Sequence, residues 1–527
     1  MRPCKRLREK GDINMNTFMN GLKAANNLGY TENGAVKYKS TLNPVLDMFA
    51  LGGAYRTRSD DDCIVLFKKA YEHDSVYALK CLFYLGDCRG GQGERRFFRV
   101  CFNWLAKNHT EAARRNLKYV AEFRRWDDLY CLVDTPLERE MFTFLKRQLA
   151  LDITCKTPSL LAKWLKSENT SSEASRILGE KTRKAFGLTA REYRKTLSAL
   201  RERINVLERL MSAGKWDEIE FDKIPSKAGL IYKNAFARHD LERAKSEKDV
   251  QTYADFAKDA TKKVNAAVLN PVDIAEKVFE YRYGHAPTST DRAMLDKYWE
   301  NLKDYYNGKE ENGIAIVDTS GSMSMSMNGL PLNAAVSMGA YIAERGKGPF
   351  KNHFITFASD PELVEFKGVD IYDKFQRARS ANWGTSTNIE ATFEMLLNTA
   401  LQNHVPACDM PKTLYIFSDM EFDGCMSCGP RSTSRWNYTT SNSLRSEKEV
   451  NSLLEVIAQR WAKMGYELPR VIFWNVNARN DNIPALNGRF GYVSGFSLSM
   501  VETILSGKDG WSLAKEKLDT ERYSCIK

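Results

Sequence analysis

A carboxylate and two hydroxyls alternate along the chain where a short apolar run ends, in Asp318-Thr-Ser320-Gly-Ser322. The four residues before them, 314–317, are all apolar and predict a buried strand that ends at Asp318. Carboxylate and hydroxyl oxygens are the hard ligands that Mg²⁺ prefers. The pattern indicates a divalent-cation site, and the alternative is a serine-rich turn that caps a helix.

Two later segments carry oxygen ligands at similar places. Residues 382–389 form a Gly/Thr-rich loop that opens an amphipathic pattern, and the apolar run 415–417 ends in Ser418-Asp419. Both segments weaken the alternative that residues 318–322 form only a serine-rich turn. There is no GxxxxGK[ST] loop and no HExxH pair anywhere in the chain, so phosphate-loop and zinc-protease chemistry are excluded.

The elements around these segments alternate between strand-like and helix-like patterns from residue 306 onward. Such alternation predicts an α/β doubly wound, mostly parallel sheet whose ligands sit at the carboxyl ends of the strands. The predicted strands are 314–317, 353–358, 412–419 and 470–477, and the predicted helices are 331–346, 388–404, 447–465 and 498–507.

Residues 43–305 instead show apolar residues at three-and-four spacing, which predicts stacked helical hairpins without a strict repeat. Five segments stand out: 61–74, 75–88, 95–109, 111–123 and 138–152. A sixth, 192–211, is predicted as one continuous helix with an apolar stripe through Leu197, Leu200, Ile204 and Leu207.

The three oxygen-bearing segments together resemble the metal-ion-dependent adhesion site of von Willebrand factor A domains, with its Asp-x-Ser-x-Ser, Thr and Asp pattern. The resemblance implies Mg²⁺, or another divalent cation such as Mn²⁺, and a protein partner that donates a carboxylate to it. It also implies a binding site and no enzyme activity. The implied ligands are Asp318, Ser320, Ser322, Thr387 with Thr385 as the fallback, and Asp419.

The helical part carries a second resemblance, in Arg89-Gly-Gly-Gln-Gly-Glu-Arg95 after a predicted helix. This segment is similar to the TROVE domain of Ro ribonucleoproteins, an all-α HEAT-like ring coupled to a von Willebrand A domain. Residues 125–129, 193–201 and 224–228 look closer to an uncharacterised Ro-like branch of bacteria, viruses and some eukaryotes, and the resemblance covers roughly residues 40–505 in order. It implies binding of structured RNA on a basic outer surface and of single-stranded RNA in the ring, within RNA quality control or scaffolding.

The charge of the chain is divided unevenly. Its net charge of +11 separates into +13 over residues 1–310 and −2 over 311–527, and residues 156–203 alone carry +7. A solvated helix face is the alternative reading of that segment. The candidate RNA contacts are Arg89, Arg95, Arg96, Lys181, Arg183, Lys184, Arg191, Arg194, Lys195, Arg201, Lys227, Lys233, Arg238 and His239.

We expect a multidomain protein with an N-terminal extension (1–40), a helical module (41–305), the von Willebrand A-like domain (306–510) and a tail (511–527). Eleven dispersed cysteines and the lack of an apolar signal or membrane span predict a cytoplasmic protein. The long segment 421–445 is expected to be a partner-contacting flap, with zinc at its Cys425-x-x-Cys428 a weaker alternative. Two other functions stay open: a metal-dependent protein adaptor without RNA, and a hydrolase that uses Asp419, Glu421 and Asp423.

Overall fold

The computed structural model describes residues 26–245, 250–281, 286–357, 360–381, 383, 387–424, 453–486 and 489–527. Thr385, residues 1–25 and the segment 425–452, with Cys425, Cys428, Arg435 and Trp436, lie outside these ranges. The described chain has a helical first part and an α/β second part, as the sequence predicts. No helix in these ranges is long and apolar enough to cross a membrane.

The first part contains a short hairpin followed by helices. Antiparallel strands β1 (Leu28–Tyr30) and β2 (Val36–Tyr38) form the hairpin. The helices are α1 (Pro44–Leu51), α2 (Asp60–His73), α3 (Ser75–Gly86), α4 (Arg95–Asn108), α5 (Thr110–Phe123), α6 (Glu138–Thr154), α7 (Leu161–Trp164), α8 (Glu173–Phe186), α9 (Ala190–Arg203), α10 (Leu207–Ser212), α11 (Ser226–Arg238), α12 (Asp240–Ala244), α13 (Tyr253–Lys258), α14 (Pro271–Phe279) and α15 (Ser289–Glu300).

The long helix predicted over 192–211 is wrong, because the chain breaks between α9 and α10. Asn205 adopts a left-handed conformation with φ of 47°. The amides of Asn205 and Val206 bond back to the carbonyls of Glu202 and Arg201, which satisfies the last turn of α9 and ends it. Two β-branched residues flank this asparagine, so the break follows from local chemistry that the leucine stripe conceals.

The second part contains a six-stranded sheet in the order β5-β4-β3-β6-β7-β8. All neighbours pair in parallel except β5, an antiparallel edge strand. The strands are β3 (Gly313–Asp318), β4 (His353–Phe357), β5 (Glu362–Glu365), β6 (Thr413–Ser418), β7 (Arg470–Asn475) and β8 (Phe490–Ser494). The helices are α16 (Gly321–Met325), α17 (Leu330–Arg345), α18 (Ile371–Arg379), α19 (Ile389–Gln402), α20 (Leu453–Lys463), α21 (Val501–Ile504) and α22 (Gly510–Leu518).

The two parts are interleaved. Helix α1 packs on β7, β8 and α22, and α14 packs on α17. The Gly53 amide donates to the Ser494 hydroxyl at 2.9 Å, and Gln92 bonds both the amide and the carbonyl of Ser497. The segment predicted as a tail forms α22 and a following turn, and Leu518, Tyr523 and Ile526 are buried there. One hydrophobic core therefore runs through both parts.

Candidate functional site

The first three predicted ligands lie at the carboxyl end of the sheet, where parallel strands bring their polar residues together. Asp318 ends β3 and is fully buried. Its carboxylate accepts a hydrogen bond from the Ser320 amide at 2.9 Å and from the Ser418 hydroxyl at 2.5 Å. Ser320 and Ser322 begin the turn into α16, and their hydroxyl oxygens are 3.1 Å apart.

Asp419 follows β6, the neighbour of β3, and is also fully buried. Burial and then the charge of Asp419 raise the pKa of Asp318 to about 7. Burial likewise raises the pKa of Asp419, which the Ser322 hydroxyl and the Arg479 guanidinium partly offset. Two interacting buried carboxylates are unfavourable when both are ionised, and a cation between them would relieve that repulsion.

Thr387 makes its hydrogen bonds outside this group, and its hydroxyl is already engaged. It donates to the Asp423 carboxylate at 2.9 Å and accepts from Asn33 Nδ2 at 2.7 Å. The Thr387 amide also donates to Asp423, at 3.0 Å. Among the described residues, then, the structure brings together Asp318, Ser320, Ser322 and Asp419, while Thr387 is bonded to Asp423.

Two further segments complete the site and were not predicted. The loop after β7 supplies Arg479, whose guanidinium pairs with Asp419 and with Glu32, at 3.3 and 3.2 Å. Asn480 Nδ2 bonds the carboxylates of Glu32 and Glu421, at 2.9 and 2.6 Å. Glu32 belongs to the tip of the β1–β2 hairpin, which covers this edge of the sheet. The asparagine-rich run 475–482 after an apolar strand was the available signal for the loop.

The set contains two carboxylates and three hydroxyls. No group of three or more His, Cys, Asp or Glu side chains suited to a metal occurs within the described ranges. A cation at Asp318 and Asp419 would thus depend on hydroxyl oxygens and water, which is the ligand chemistry of Mg²⁺.

The helical part surrounds a cavity of about 1160 Å³. Eight Lys or Arg side chains line it against four carboxylates, and Trp164, Tyr232 and Phe496 add aromatic surface. The cationic residues are Arg56, Arg95, Arg124, Arg125, Lys163, Arg201, Arg209 and Lys227, and the acidic ones are Asp128, Glu208, Asp273 and Glu276.

The fourteen candidate RNA contacts fall into three groups. Arg95, Arg201 and Lys227 line the cavity. Arg89, Arg191, Arg194, Lys195 and Arg238 are exposed and make no ion pair within the described ranges. The remaining six are engaged: Arg96 with Asp60, Lys181 with Asp134, Arg183 with Glu168, Lys184 with Glu180, Lys233 with Asp291, and His239 stacked on Trp216.

The surroundings of Lys233 and Arg201 make these two residues weaker candidates for RNA contacts. Lys233 is 6% exposed, and its ammonium also contacts the Tyr281 hydroxyl, so no phosphate reaches it. Arg201 donates to the carbonyls of Ala162 and Leu165, where it caps the end of α7. Sequence patterns did not indicate either role, because both sets of partners lie far along the chain.

Comparisons with known proteins match both parts of the chain. The family model described as "Domain of unknown function (DUF2828)" matches residues 31–149 and 150–309, and "Domain of unknown function (DUF7788)" matches residues 312–524. An uncharacterized protein of Acanthamoeba polyphaga mimivirus is 29% identical over 523 residues, which cover 92% of this chain and 85% of that protein.

Proposed function

Since the chain belongs to the DUF2828 family, whose description names no activity, we propose its function from the geometry: the protein binds RNA through its helical part. The cavity is the observation that carries this proposal. Its lining has a formal charge of +4 and three aromatic side chains. Phosphate contacts supply affinity without base readout, and aromatic rings stack on bases of any sequence.

The resemblance to the HEAT-like TROVE ring supports the same proposal and divides the work between two surfaces. The cavity suits a single strand. The exposed residues Arg191, Arg194 and Lys195 on α9 suit the backbone of a structured RNA. With these two surfaces, the protein would act in RNA quality control or as a scaffold in a ribonucleoprotein.

Binding of a single-stranded and a hairpin RNA, measured by fluorescence anisotropy at several salt concentrations, tests this division. Arg209→Glu with Lys227→Glu reverses two cavity charges and is expected to weaken single-strand binding about tenfold or more at low salt, with a smaller salt slope. Arg194→Glu with Lys195→Glu, which also reverses two charges, is the matched outer variant. It is expected to weaken hairpin binding instead. If the folded wild-type protein binds neither RNA at low salt, the result would favour the alternative function, a metal-dependent protein adaptor that binds no RNA.

We also propose that the carboxyl edge of the sheet is a metal-dependent partner site of the von Willebrand A type. Asp318, Ser320, Ser322 and Asp419 would hold the cation, and Thr387 would join them only by exchanging its hydrogen bond to Asp423. The bound cation would balance two buried carboxylates and take a carboxylate from a protein partner. Three features support the fit: the facing carboxylates, the adjacent hydroxyls and their position at the strand ends.

A binding role is favoured over the hydrolase because the other two carboxylates of the site are already used. Glu421 is buried and accepts bonds from the Glu32 amide and Asn480, while Asp423 holds Thr387. Neither is left as a general base for water.

A further inference from the structure

Arg95, Arg124, Arg125 and Asp128 form one wall of the cavity and belong to a larger ion-pair group that holds more positive charge than its carboxylates balance. Asp128 is 1% exposed and pairs with Arg95 at 2.7 Å, Arg124 at 3.2 Å and Arg99 at 3.8 Å. Asp127 pairs with Arg95, Arg125 and Lys166, at 3.2, 2.7 and 3.6 Å. We call this group the arginine cluster: Arg95, Arg99, Arg124, Arg125 and Lys166 around Asp127 and Asp128.

The arginine cluster has a formal charge of +3. Within the described ranges, its ion pairs include no third carboxylate, because the nearby Glu94 pairs with Arg56 instead, at 3.2 Å. Partly buried charges that lack counter-charges are costly, since the interior screens them less than water does. The wall is therefore suited to an anion.

Arg124 is the most buried cation of the arginine cluster. Its side chain is 1% exposed and lines the cavity. Nε donates to Asp128 at 3.2 Å and Nη1 to the Glu94 carbonyl at 3.1 Å, while Nη2 is buried with no hydrogen-bond partner in the described part of the chain. A buried donor without an acceptor is rare and costs free energy. Because Nη2 is buried, Arg124 contributes its charge to the wall of the cavity and not a donor that a ligand in the cavity can reach.

The surrounding groups narrow the chemistry of the anion. Arg95, Arg124 and Arg125 line the cavity together, and planar guanidinium groups match the oxygens of a phosphate. The Arg125 guanidinium lies 3.5 Å from the centre of the Trp164 ring, and Arg56 lies 4.1 Å from that of Phe496. These rings hold their arginines in place and offer surface to a base beside the phosphate.

We propose that the arginine cluster is a phosphate subsite that binds the terminal phosphomonoester of a single-stranded RNA. A terminal phosphate carries a charge of about −1.5 to −2 and offsets the positive charge of the arginine cluster better than an internal diester with its single charge. This proposal rests on the proposed RNA function for its ligand. The subsite itself rests on the charge balance of the arginine cluster and on the three of its guanidinium groups that line the cavity, those of Arg95, Arg124 and Arg125.

The first measurement uses inorganic phosphate and the full-length protein, compared with chloride at equal ionic strength. Phosphate is expected to raise the melting temperature of the wild type by about 2–5 °C. Arg125 is partly exposed, so the Arg125→Gln variant should fold. We expect this variant to lose most of the increase in melting temperature that phosphate causes. Arg115→Gln, an exposed arginine on α5 outside the cavity, should keep it. No shift in the wild type, or an equal shift in Arg125→Gln, would overturn the subsite.

The second measurement compares one RNA oligonucleotide with a 5′-phosphate, with a 3′-phosphate and with hydroxyls at both ends. One phosphorylated form should bind about tenfold tighter than the hydroxyl form, and Arg125→Gln should remove the difference. Equal affinity for all three forms would overturn the inference and leave the RNA function standing. Binding of inorganic phosphate without binding of any oligonucleotide would overturn the RNA function and leave the subsite.

Discussion

At the scale of single residues, the carboxyl edge of the sheet depends on two aspartates that repel each other. Asp318 and Asp419 are both fully buried, and Arg479 is the cation that contacts Asp419 within the described ranges. Arg479 is one-third exposed and pairs with Asp419 and Glu32 at the same time. A bound cation would compete with this guanidinium for Asp419.

Mg²⁺ or Mn²⁺ is expected to raise the melting temperature of the wild type by a few degrees. Asp318→Asn should abolish this increase. Without metal, the variant should be at least as stable as the wild type, because the substitution removes the repulsion between two buried carboxylates. Ser322→Ala should weaken the response, whereas Ser324→Ala, an exposed serine two residues later, should leave it intact. The measurement is a thermal melt over a metal titration. A full response in Asp318→Asn with Asp419→Ala would remove the proposed site.

At the scale of elements, α15 and α18 join the helical part to the sheet part. Arg292 on α15 pairs with Asp370 and Asp373 at the start of α18, the latter at 2.6 Å. Asp296, one turn later on α15, accepts a bond from the Ile371 amide at 2.6 Å. Burial, and then Asp370 and Glu300, raise the pKa of Asp296 to about 6.

Asp296→Asn is expected to stabilise the protein above pH 6 and to have no effect near pH 4. The folded protein holds the Asp296 proton more tightly than the unfolded chain, so the wild type loses stability as pH rises from about 4 through 6. The gain should be about 1 kcal/mol at pH 7.5, since the group is only half buried. Melting temperatures across this pH range test it, with Asp222→Asn, an exposed carboxylate, as the control. An equal gain at pH 4 would contradict the titration of Asp296.

The elements predicted from sequence are those whose signal is local. Strands β3, β4, β6 and β7 are apolar runs buried on both faces, and α17 and α19 carry clear apolar periodicity. The edge strand β5 and the hairpin β1–β2 were missed because each is short and partly exposed. The break at Asn205 was missed because the leucine spacing continues across it.

The residues of the candidate site also fall into those that a local sequence pattern predicts and those that it does not. Asp318, Ser320 and Ser322 were predicted together because one turn of chain holds them. Arg479 and Glu32 join the same site from positions 60 residues after and nearly 390 residues before Asp419. No local pattern encodes such distances. The cavity is likewise a product of packing: its Arg124 and Trp164 come from different helices or turns that touch only in the folded protein.

At the scale of the whole molecule, both ends of the described chain are attached to the opposite part. Near the carboxyl end, Arg522 pairs with Asp87 at the end of α3, and the Tyr523 hydroxyl donates to the same carboxylate at 3.1 Å. Asp87 is fully buried. The last residue contacts Asn116 on α5. The helical and α/β parts should therefore unfold together.

Arg522→Ala is expected to cost about 3 kcal/mol of unfolding free energy, because it leaves Asp87 buried without its charge partner. Asp87→Asn should recover part of the loss in the double variant. Urea unfolding followed by far-ultraviolet circular dichroism and by tryptophan fluorescence should show one coincident transition for wild type and variant. Lys515→Ala, an exposed position on α22, serves as the control. Two separate transitions would show that the parts are independent.

The packing of α1 has a consequence for synthesis on the ribosome. Val45, Met48 and Phe49 leave the ribosome among the first described residues, yet β8 and α22, which cover them, end more than 440 residues later. At about 5–20 residues per second, this apolar surface waits roughly 20–90 s for its cover. The nascent helical part must be shielded during that interval, so we expect the newly made chain to depend on chaperones until its last strand and helix emerge.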